Sequence, residues 1–172
     1  MLDEIEYLHQ LESNRTNDDN LLIEDQVWRI NIVKSIIGRF KEDKDLYNLA
    51  YKASLTEAMV TPLFISKLHF DRVRPSFYDT SLQPSIEVPP HPAYPSGHAT
   101  QATTVALILS CQDPDNREFY INNAARVGWN RELAGLHYPS DTAAGVKLAQ
   151  HVFYDVAREV GLLNAAKCNI EI

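Results

Sequence analysis

Acidic and basic side chains fall on the apolar faces of predicted helices. In the last predicted helix, an apolar stripe through Leu148, Val152 and Val156 continues back, by helical spacing, to Asp141. A carboxylate that faces a protein core needs a partner. His137 lies four residues earlier in the chain, and we therefore predict that His137 and Asp141 form a pair.

Three basic residues are also predicted to point inward. Arg131 follows Val127 by four residues and so shares the inward face of the preceding helix. Lys67 and Arg74 are seven residues apart, on an apolar stripe that includes Phe70. Long basic side chains often lie along apolar surface with their charge in water. Because one carboxylate cannot balance three buried cations, however, we predict a bound anion.

The segment Pro95-Ser96-Gly97-His98 lies at a predicted helix start. A helix N-terminus presents free N–H groups that suit an oxyanion, and Gly97 lets the backbone approach it closely. Ser96 adds a hydroxyl donor, and His98 can titrate near neutral pH. Alone, this segment would be better interpreted as a serine cap followed by an incidental histidine.

Together these residues resemble the superfamily of type 2 phosphatidic acid phosphatases, bacterial class A acid phosphatases and vanadium haloperoxidases. The family pattern is Lys-x6-Arg-Pro, then Pro-Ser-Gly-His, then Ser-Arg-x5-His-x3-Asp. Order and spacing match throughout, and Asn130 in place of the usual serine is the one departure. The matching residues are Lys67, Arg74-Pro75, residues 95–98, Arg131, His137 and Asp141.

The resemblance implies a phosphate site and a phosphatase activity. Lys67, Arg74 and Arg131 would hold the phosphate oxygens, and Ser96 with the Gly97 backbone would complete the cradle. The implied substrate is a small anionic phosphorylated molecule, either a phosphomonoester or a diphosphate. No metal or other cofactor is implied, because the three cations stabilise the phosphoryl charge.

The resemblance also implies a division of roles among the remaining residues. His137 would attack phosphorus and form a phosphohistidine, while Asp141 would orient His137 and stabilise its charge. His98 would protonate the leaving alcohol and then activate water. In-line attack within a ring of positive charge is what phosphoryl transfer requires.

Three other functions use the same residues. A vanadium haloperoxidase would bind vanadate as its cofactor with His137 as the ligand, whereas in a phosphatase vanadate would be an inhibitor. A non-catalytic oxyanion-binding module would not need His98 as well as the His137–Asp141 pair. A metal enzyme using His69 and Asp71 with that pair would place its metal among three repelling cations.

Helices are predicted to position all of these residues. No strand pair is evident, and most of the prolines fall in residues 75–96, a long irregular segment of the kind that often carries function. Residues 15–20 are predicted to form a polar loop. We expect one all-α domain, residues 1–172, a helical bundle of the phosphatidic acid phosphatase and vanadium haloperoxidase type with its motifs in residues 67–141. The predicted helices cover about 23–37, 45–70, 97–111, 116–133 and 139–161.

Composition excludes several other classes of protein. A net charge of -7 argues against nucleic-acid binding and against a polybasic membrane anchor. The acidic residues 1–6 do not resemble a signal peptide, and the apolar run at 102–111 is too short to span a bilayer, so we expect a soluble, cytoplasmic protein. Cys111 and Cys168 do not indicate a disulfide scaffold. Nothing in the sequence indicates the oligomeric state.

Overall fold

The computed structural model describes residues 2–162 and 164–171. In that part of the chain the regular structure is entirely helical, as predicted, and no β-strand is present. Short 3-10 helices follow α3, precede α8 and lie near the C-terminus. The α-helices are α1 (Leu2–Asn14), α2 (Asn17–Asp25), α3 (Arg29–Ile37), α4 (Lys44–Ala53), α5 (Glu57–Phe70), α6 (Pro75–Tyr78), α7 (Gly97–Gln112), α8 (Arg117–Leu133) and α9 (Pro139–Glu159).

Helix α7 forms the centre of the bundle. Every residue from 102 to 110 is buried, so this helix is enclosed on all sides. It packs mainly against α8 and α9, and also against α3, α4 and α5. A helix without a polar face is typical of such a central position. The N-terminus of α7, which carries the Ser-Gly-His segment, is therefore fixed by the packing of its neighbours.

Two glycines let α8 and α9 approach the start of α7. A Cβ atom added at Gly145 of α9 would lie 2.7 Å from the carbonyl oxygen of Ser96. One added at Gly128 of α8 would lie 2.9 Å from a methyl group of Thr142 and 3.5 Å from the Cβ of Ala99. The distances of 2.7 and 2.9 Å leave no room for a methyl group unless a neighbouring atom shifts. The three helices therefore meet around Ala99, which directly follows the segment that is predicted to bind an anion.

The predicted stretches at 23–37 and 45–70 are each two helices. The first is interrupted at residues 26–28, and Val27 and Ile30 of its proposed apolar stripe are exposed. The second is interrupted at residues 54–56, so that α4 and α5 can follow different directions. Apolar spacing continued across both interruptions, and for this reason the sequence pattern did not reveal them.

The prediction of a polar loop at residues 15–20 is wrong for most of that segment. Thr16 caps α2: its hydroxyl accepts from the Asp19 N–H, and the Asp19 carboxylate accepts from the Thr16 N–H at 3.0 Å. This reciprocal pair is a capping box, which begins a helix despite the polar composition. Helix α1 was not predicted at all, although Ile5 and Leu8 bury its inner face.

Cys111 and Cys168 form a disulfide bond, although their number and spacing did not indicate one. The bond joins the last turn of α7 to the C-terminal segment after α9. Disulfides are typical of oxidising compartments and rare in the cytoplasm. The cytoplasmic location expected from the sequence stays a prediction, and this bond argues against it.

Helix α5 has one face toward the bundle and an apolar face toward solvent. Leu63 and Lys67 are buried, but Phe64, Leu68 and Phe70 are exposed. The inward position predicted for Phe70 is therefore wrong. Within residues 2–162 and 164–171, no helix combines the length and apolarity needed to cross a bilayer.

Candidate active site

A cavity of about 180 Å³ opens between α5, the start of α7 and the proline-rich segment. Its lining includes five of the eight predicted site residues: Lys67, Arg74, Gly97, His98 and His137. The other three, Ser96, Arg131 and Asp141, are fully buried next to these residues rather than in the lining. The structure thus brings residues from four separate segments of the chain to one place.

His137 and Asp141 form the predicted pair at the N-terminus of α9. The Nδ1 atom of His137 lies 3.3 Å from the Oδ2 atom of Asp141, and this same oxygen accepts from the backbone N–H of Tyr138 at 3.0 Å. Asp141 occupies the third position of α9, where a carboxylate interacts favourably with the free N–H groups of the helix. Its own carbonyl accepts from the Ser96 N–H at 3.0 Å, which ties the two motif segments together.

The environment keeps this pair as a carboxylate and a neutral imidazole. Burial acts to raise the pKa of Asp141, but hydrogen bonds from His137 and Tyr138 and the charge of Arg72 together lower it. Burial lowers the pKa of His137 to about 4, assisted by the charge of Arg74, although Asp141 acts in the opposite direction. At neutral pH His137 is therefore neutral, with its proton on Nδ1 toward Asp141.

Arg74 contacts the ring nitrogen of His137 that does not face Asp141. Its Nη1 atom lies 3.1 Å from His137 Nε2, and it also donates to the carbonyl of Leu136. An arginine can only donate, so Nε2 must carry a lone pair. The remaining donors of Arg74 contact the carbonyl and Nδ1 of His91, each at 3.1 Å. The lone pair of Nε2 is therefore blocked by Arg74.

The ammonium group of Lys67 holds the proline-rich segment against α5. It donates to the carbonyls of Pro92, Ala93 and Pro95, at distances of 2.7 to 3.3 Å. Burial and the neighbouring Arg74 lower the pKa of Lys67 to about 7. All three ammonium hydrogens are thus engaged by backbone, and contact with an anion requires exchange of at least one of these bonds.

Arg131 has the largest unused hydrogen-bonding capacity in the site. Its side chain is fully buried, and only Nη2 has a partner, the carbonyl of Ile23 at 2.9 Å. The Nε and Nη1 donors have no acceptor. In the described residues, neither Arg131 nor Lys67 nor Arg74 forms a salt bridge with a carboxylate. The site therefore contains buried positive charge without a matching anion.

His98 is held by a residue that the sequence analysis did not consider. Its Nε2 atom lies 3.0 Å from the carbonyl of Gln26, which can only accept, so Nε2 carries a proton and Nδ1 remains for proton exchange. Burial and the charge of Arg131 lower the pKa of His98 to about 3. The side chain of Gln26 also accepts from Asn130 at 2.8 Å. Asn130, the one departure from the family pattern, therefore supports Gln26 and does not reach the cavity lining.

Sequence reasoning missed Gln26 and Arg72, and it interpreted His91 as a structural or surface residue of the proline-rich segment that could line the pocket. Gln26 lies in the interruption between α2 and α3, and it contacts His98 through its backbone carbonyl, so its residue type gave no signal of this contact. His91 lines the cavity and binds Arg74. His69 and Asp71, the alternative metal ligands, are exposed. Within the residues that the structure describes, no group of three His, Cys, Asp or Glu side chains could hold a metal ion.

Comparisons with known proteins concern the family and the fold of the chain. The family model of the PAP2 superfamily matches residues 48–158. A non-specific acid phosphatase of Salmonella typhimurium (strain LT2) is 31% identical over 84 residues, and one of Salmonella typhi is 36% identical over 53 residues. The crystal structure of the first bacterial vanadium-dependent iodoperoxidase superposes with a TM-score of 0.70 at 16% identity. This last similarity concerns the fold alone.

These relatives are longer than the regions that match. The aligned regions cover 46% of this chain and 34% of the first acid phosphatase, and 31% of this chain and 21% of the second. The superposition covers 92% of this chain and 49% of the iodoperoxidase.

Proposed function

The chain belongs to the PAP2 superfamily, and on that premise we propose that it is a metal-independent phosphatase that acts through a phosphohistidine at His137. The observation that carries the proposal is the group of three buried cations without carboxylate partners around a neutral histidine. The acid phosphatase relatives support hydrolysis of a phosphate ester in preference to other reactions of the fold.

Binding of a phosphate ester removes the block on His137. Arg74 contacts His137 Nε2 and neutral acceptors only, so a dianionic phosphoryl group offers it a stronger partner. As Arg74 turns to the phosphate, the lone pair of Nε2 becomes free to attack. The free donors of Arg131 and the N–H groups at the start of α7 complete the set of contacts.

In the first chemical step, the lone pair of His137 Nε2 forms a bond to phosphorus while the bond from phosphorus to the ester oxygen breaks. The leaving oxygen takes a proton from Nδ1 of His98. Without an anion, His98 is neutral because burial and Arg131 disfavour its charged form. The charge of the bound ester favours the imidazolium, so Nδ1 of His98 takes up a proton from solvent as the ester binds, and this is the proton that the leaving oxygen receives.

In the second step, water attacks the phosphohistidine. Neutral His98 accepts a proton from this water as its oxygen bonds to phosphorus. The bond between phosphorus and Nε2 breaks, and its electron pair returns to His137. Asp141 stabilises the positive charge that His137 carries in the intermediate, because the carboxylate remains hydrogen-bonded to Nδ1. Inorganic phosphate then leaves, and Arg74 can return to Nε2.

Vanadate fits the same donors, since it adopts the five-coordinate shape of a phosphoryl group under attack. His137 Nε2 would be its axial ligand, and Lys67, Arg74 and Arg131 would surround its oxygens. We expect vanadate to act as an inhibitor here and not as a resident cofactor. The fold similarity to an iodoperoxidase makes halide oxidation the alternative that the experiment must test.

The test uses the purified protein with a chromogenic aryl phosphate and an alkyl phosphate, in buffer containing EDTA. We expect turnover of both esters and a mass increase of one phosphoryl group on the peptide that contains His137 after alkaline quenching. His137→Gln should lose both signals. His98→Ala should lose about 10²- to 10⁴-fold on the alkyl ester, with a smaller loss on the activated ester. His151→Ala provides the matched control, because this histidine is exposed on α9.

Three results would refute the proposal in different ways. Activity that EDTA abolishes and a divalent metal restores would exclude the metal-independent mechanism. Phosphorylation elsewhere than His137 would exclude the assigned nucleophile. Bromide or iodide oxidation by the vanadate-loaded protein with peroxide, without ester hydrolysis, would establish the haloperoxidase alternative.

A further inference from the structure

Arg72 reaches the catalytic carboxylate from outside the cavity. Its Nη1 atom lies 2.6 Å from the Oδ1 atom of Asp141, the oxygen that His137 does not use, and 2.7 Å from the hydroxyl of Ser140. Its guanidinium carbon lies 3.9 Å from the centre of the Tyr138 ring. Arg72 does not contribute to the lining of the cavity around His137. It contacts the carboxylate directly from a position outside the lining of that cavity.

Helix α1 holds Arg72 in this position. The Oε2 atom of Glu4 lies 3.0 Å from Nη2 of Arg72, and its Oε1 atom accepts from the Ser140 N–H at 2.8 Å. Burial acts to raise the pKa of Glu4, but the hydrogen bonds from Ser140 and Arg72 outweigh it and lower the pKa. Glu4 thus remains charged and connects α1 both to Arg72 and to the first turn of α9.

We propose that Arg72, held by Glu4 of α1, is a positioning residue that fixes the Asp141 carboxylate for its contact with His137. The proposal rests on the function proposed above for His137. It assigns a role in the reaction to a side chain between the lysine and the arginine of the Lys-x6-Arg pattern, and to a residue in the first turn of the N-terminal helix.

The geometry explains why two partners are needed. A carboxylate with only His137 and the Tyr138 N–H on one oxygen can rotate about its side-chain torsions. Arg72 engages the other oxygen, so both ends of the carboxylate are fixed. A planar guanidinium holds its donors in a fixed arrangement and can contact Asp141, Ser140 and Glu4 at once, whereas the donors of an ammonium group lie close together on one nitrogen. Stacking on Tyr138 further limits the motion of the guanidinium.

Arg72 also limits the negative charge that His137 experiences. Besides Asp141, the charged and titratable groups that face His137 are Lys67 and Arg74 from the α5 side and His98 from α7. Arg72 offsets part of the charge of Asp141, to which Glu4 of α1 and Glu132 of α8 also lie close. Loss of the arginine charge should therefore raise the pKa of His137, because an unbalanced carboxylate favours imidazolium.

The experiment compares wild-type protein with Arg72→Gln, Arg72→Lys and Glu4→Gln. Arg72→Gln should lower kcat about 10- to 100-fold with little change in KM, because it alters orientation and not substrate contact. Arg72→Lys should recover part of this loss, and Glu4→Gln should show a smaller loss in the same direction. Long-range proton–nitrogen NMR of the free protein should show a higher pKa for His137 in Arg72→Gln and nearly the wild-type pKa in Arg72→Lys.

Arg126→Gln is the matched control. Arg126 also pairs with a carboxylate, that of Asp19 at 3.0 Å, and its guanidinium also lies over an aromatic ring, that of Trp129 at 4.3 Å. It does not contact Asp141, so its replacement should leave kcat and the pKa of His137 unchanged.

Unchanged kcat and unchanged His137 pKa in Arg72→Gln would overturn the proposal. A change of KM without a change of kcat would also overturn it. If Arg72→Gln does not fold, the smaller kcat losses expected for Arg72→Lys and Glu4→Gln decide, and wild-type kcat in both variants would overturn the proposal. The NMR measurement needs no substrate. A wild-type protein without phosphatase activity would therefore refute the proposed function, and a shift of the His137 pKa would still support the contact.

Discussion

Arg131→Met should make the unliganded protein more stable and should remove its activity. Arg131 is fully buried, and two of its three donor nitrogens have no acceptor. Each buried donor without a partner costs about 1–3 kcal/mol of stability. Methionine has a similar length and no polar hydrogen, so it can occupy the same space without this cost.

The expected magnitude follows from the contacts that are lost. The substitution removes both unpartnered donors but also breaks the bond from Nη2 to the carbonyl of Ile23 at 2.9 Å, which costs roughly 1 kcal/mol. Replacement of a buried charge by an apolar side chain of similar volume stabilises proteins by about 1–4 kcal/mol in favourable cases. We expect about 2 kcal/mol, which corresponds to a rise in Tm of about 4–8 °C for a chain of this size.

The assay is thermal and urea unfolding in phosphate-free buffer, repeated with added vanadate. Wild-type protein should gain stability from vanadate according to ligand concentration and affinity. Arg131→Met should gain much less, so the order of stabilities of the two proteins can reverse at high vanadate concentration. Arg126→Met, at an exposed arginine of the same helix, should change the free energy of unfolding by no more than about 0.5 kcal/mol.

A loss of more than about 1 kcal/mol in Arg131→Met without an anion would refute the reasoning, because a well-satisfied arginine would then be indicated. An equal gain from vanadate in both proteins would show that Arg131 does not contribute to the anion site.

Three further predictions concern packing, the disulfide and pH. Gly145→Ala should lower the free energy of unfolding by about 1–3 kcal/mol and reduce kcat, because the new methyl group would meet the Ser96 carbonyl. Unfolding and steady-state assays would measure the two effects, and a variant with wild-type kcat would contradict the prediction. Cys168→Ser should lower the free energy of unfolding by up to about 4 kcal/mol, because the disulfide closes a long loop of the unfolded chain. Since the bond lies at the opposite end of α7 from the candidate site, kcat should not change. Thermal unfolding with and without reductant would detect the loss of stability. The free energy of unfolding should decrease as pH falls from about 6.5 toward about 4. In this range a histidine of the unfolded chain takes up a proton, whereas buried His137 does not. A His137→Gln variant whose stability depends on pH just as steeply would contradict this prediction.

The sequence was most informative where a charged residue occupied a position that continues the apolar face of a predicted helix. Asp141 and Arg131 are fully buried, as the stripes of their helices predicted, because a helix that packs on a central neighbour cannot turn one residue outward. The same reasoning was wrong for Phe70. This residue ends α5 just before a turn at Asp71, where the backbone adopts a left-handed conformation and leaves the packed face.

Other features depend on contacts between distant parts of the chain. Arg72 binds Glu4 and Asp141, each about 70 residues away, and no spacing rule connects them. Gln26 acts through its backbone carbonyl on His98, so the type of its side chain contained no signal for that contact. Cys111 and Cys168 are brought together only by the return of the C-terminal segment along α9. Single-sequence patterns describe local faces, and these pairs arise from packing.

The contact of Gly145 with Ser96 also bears on how substrate preference can change in evolution or in the laboratory. The turn at Ser96 has no free space behind it and so tolerates few single substitutions, which means that its geometry cannot change gradually. The opposite wall of the cavity contains Met59, Phe64 and Pro89, and Phe64 is 49% exposed. New specificities should therefore arise on that wall, while the reacting groups stay where α7, α8 and α9 hold them.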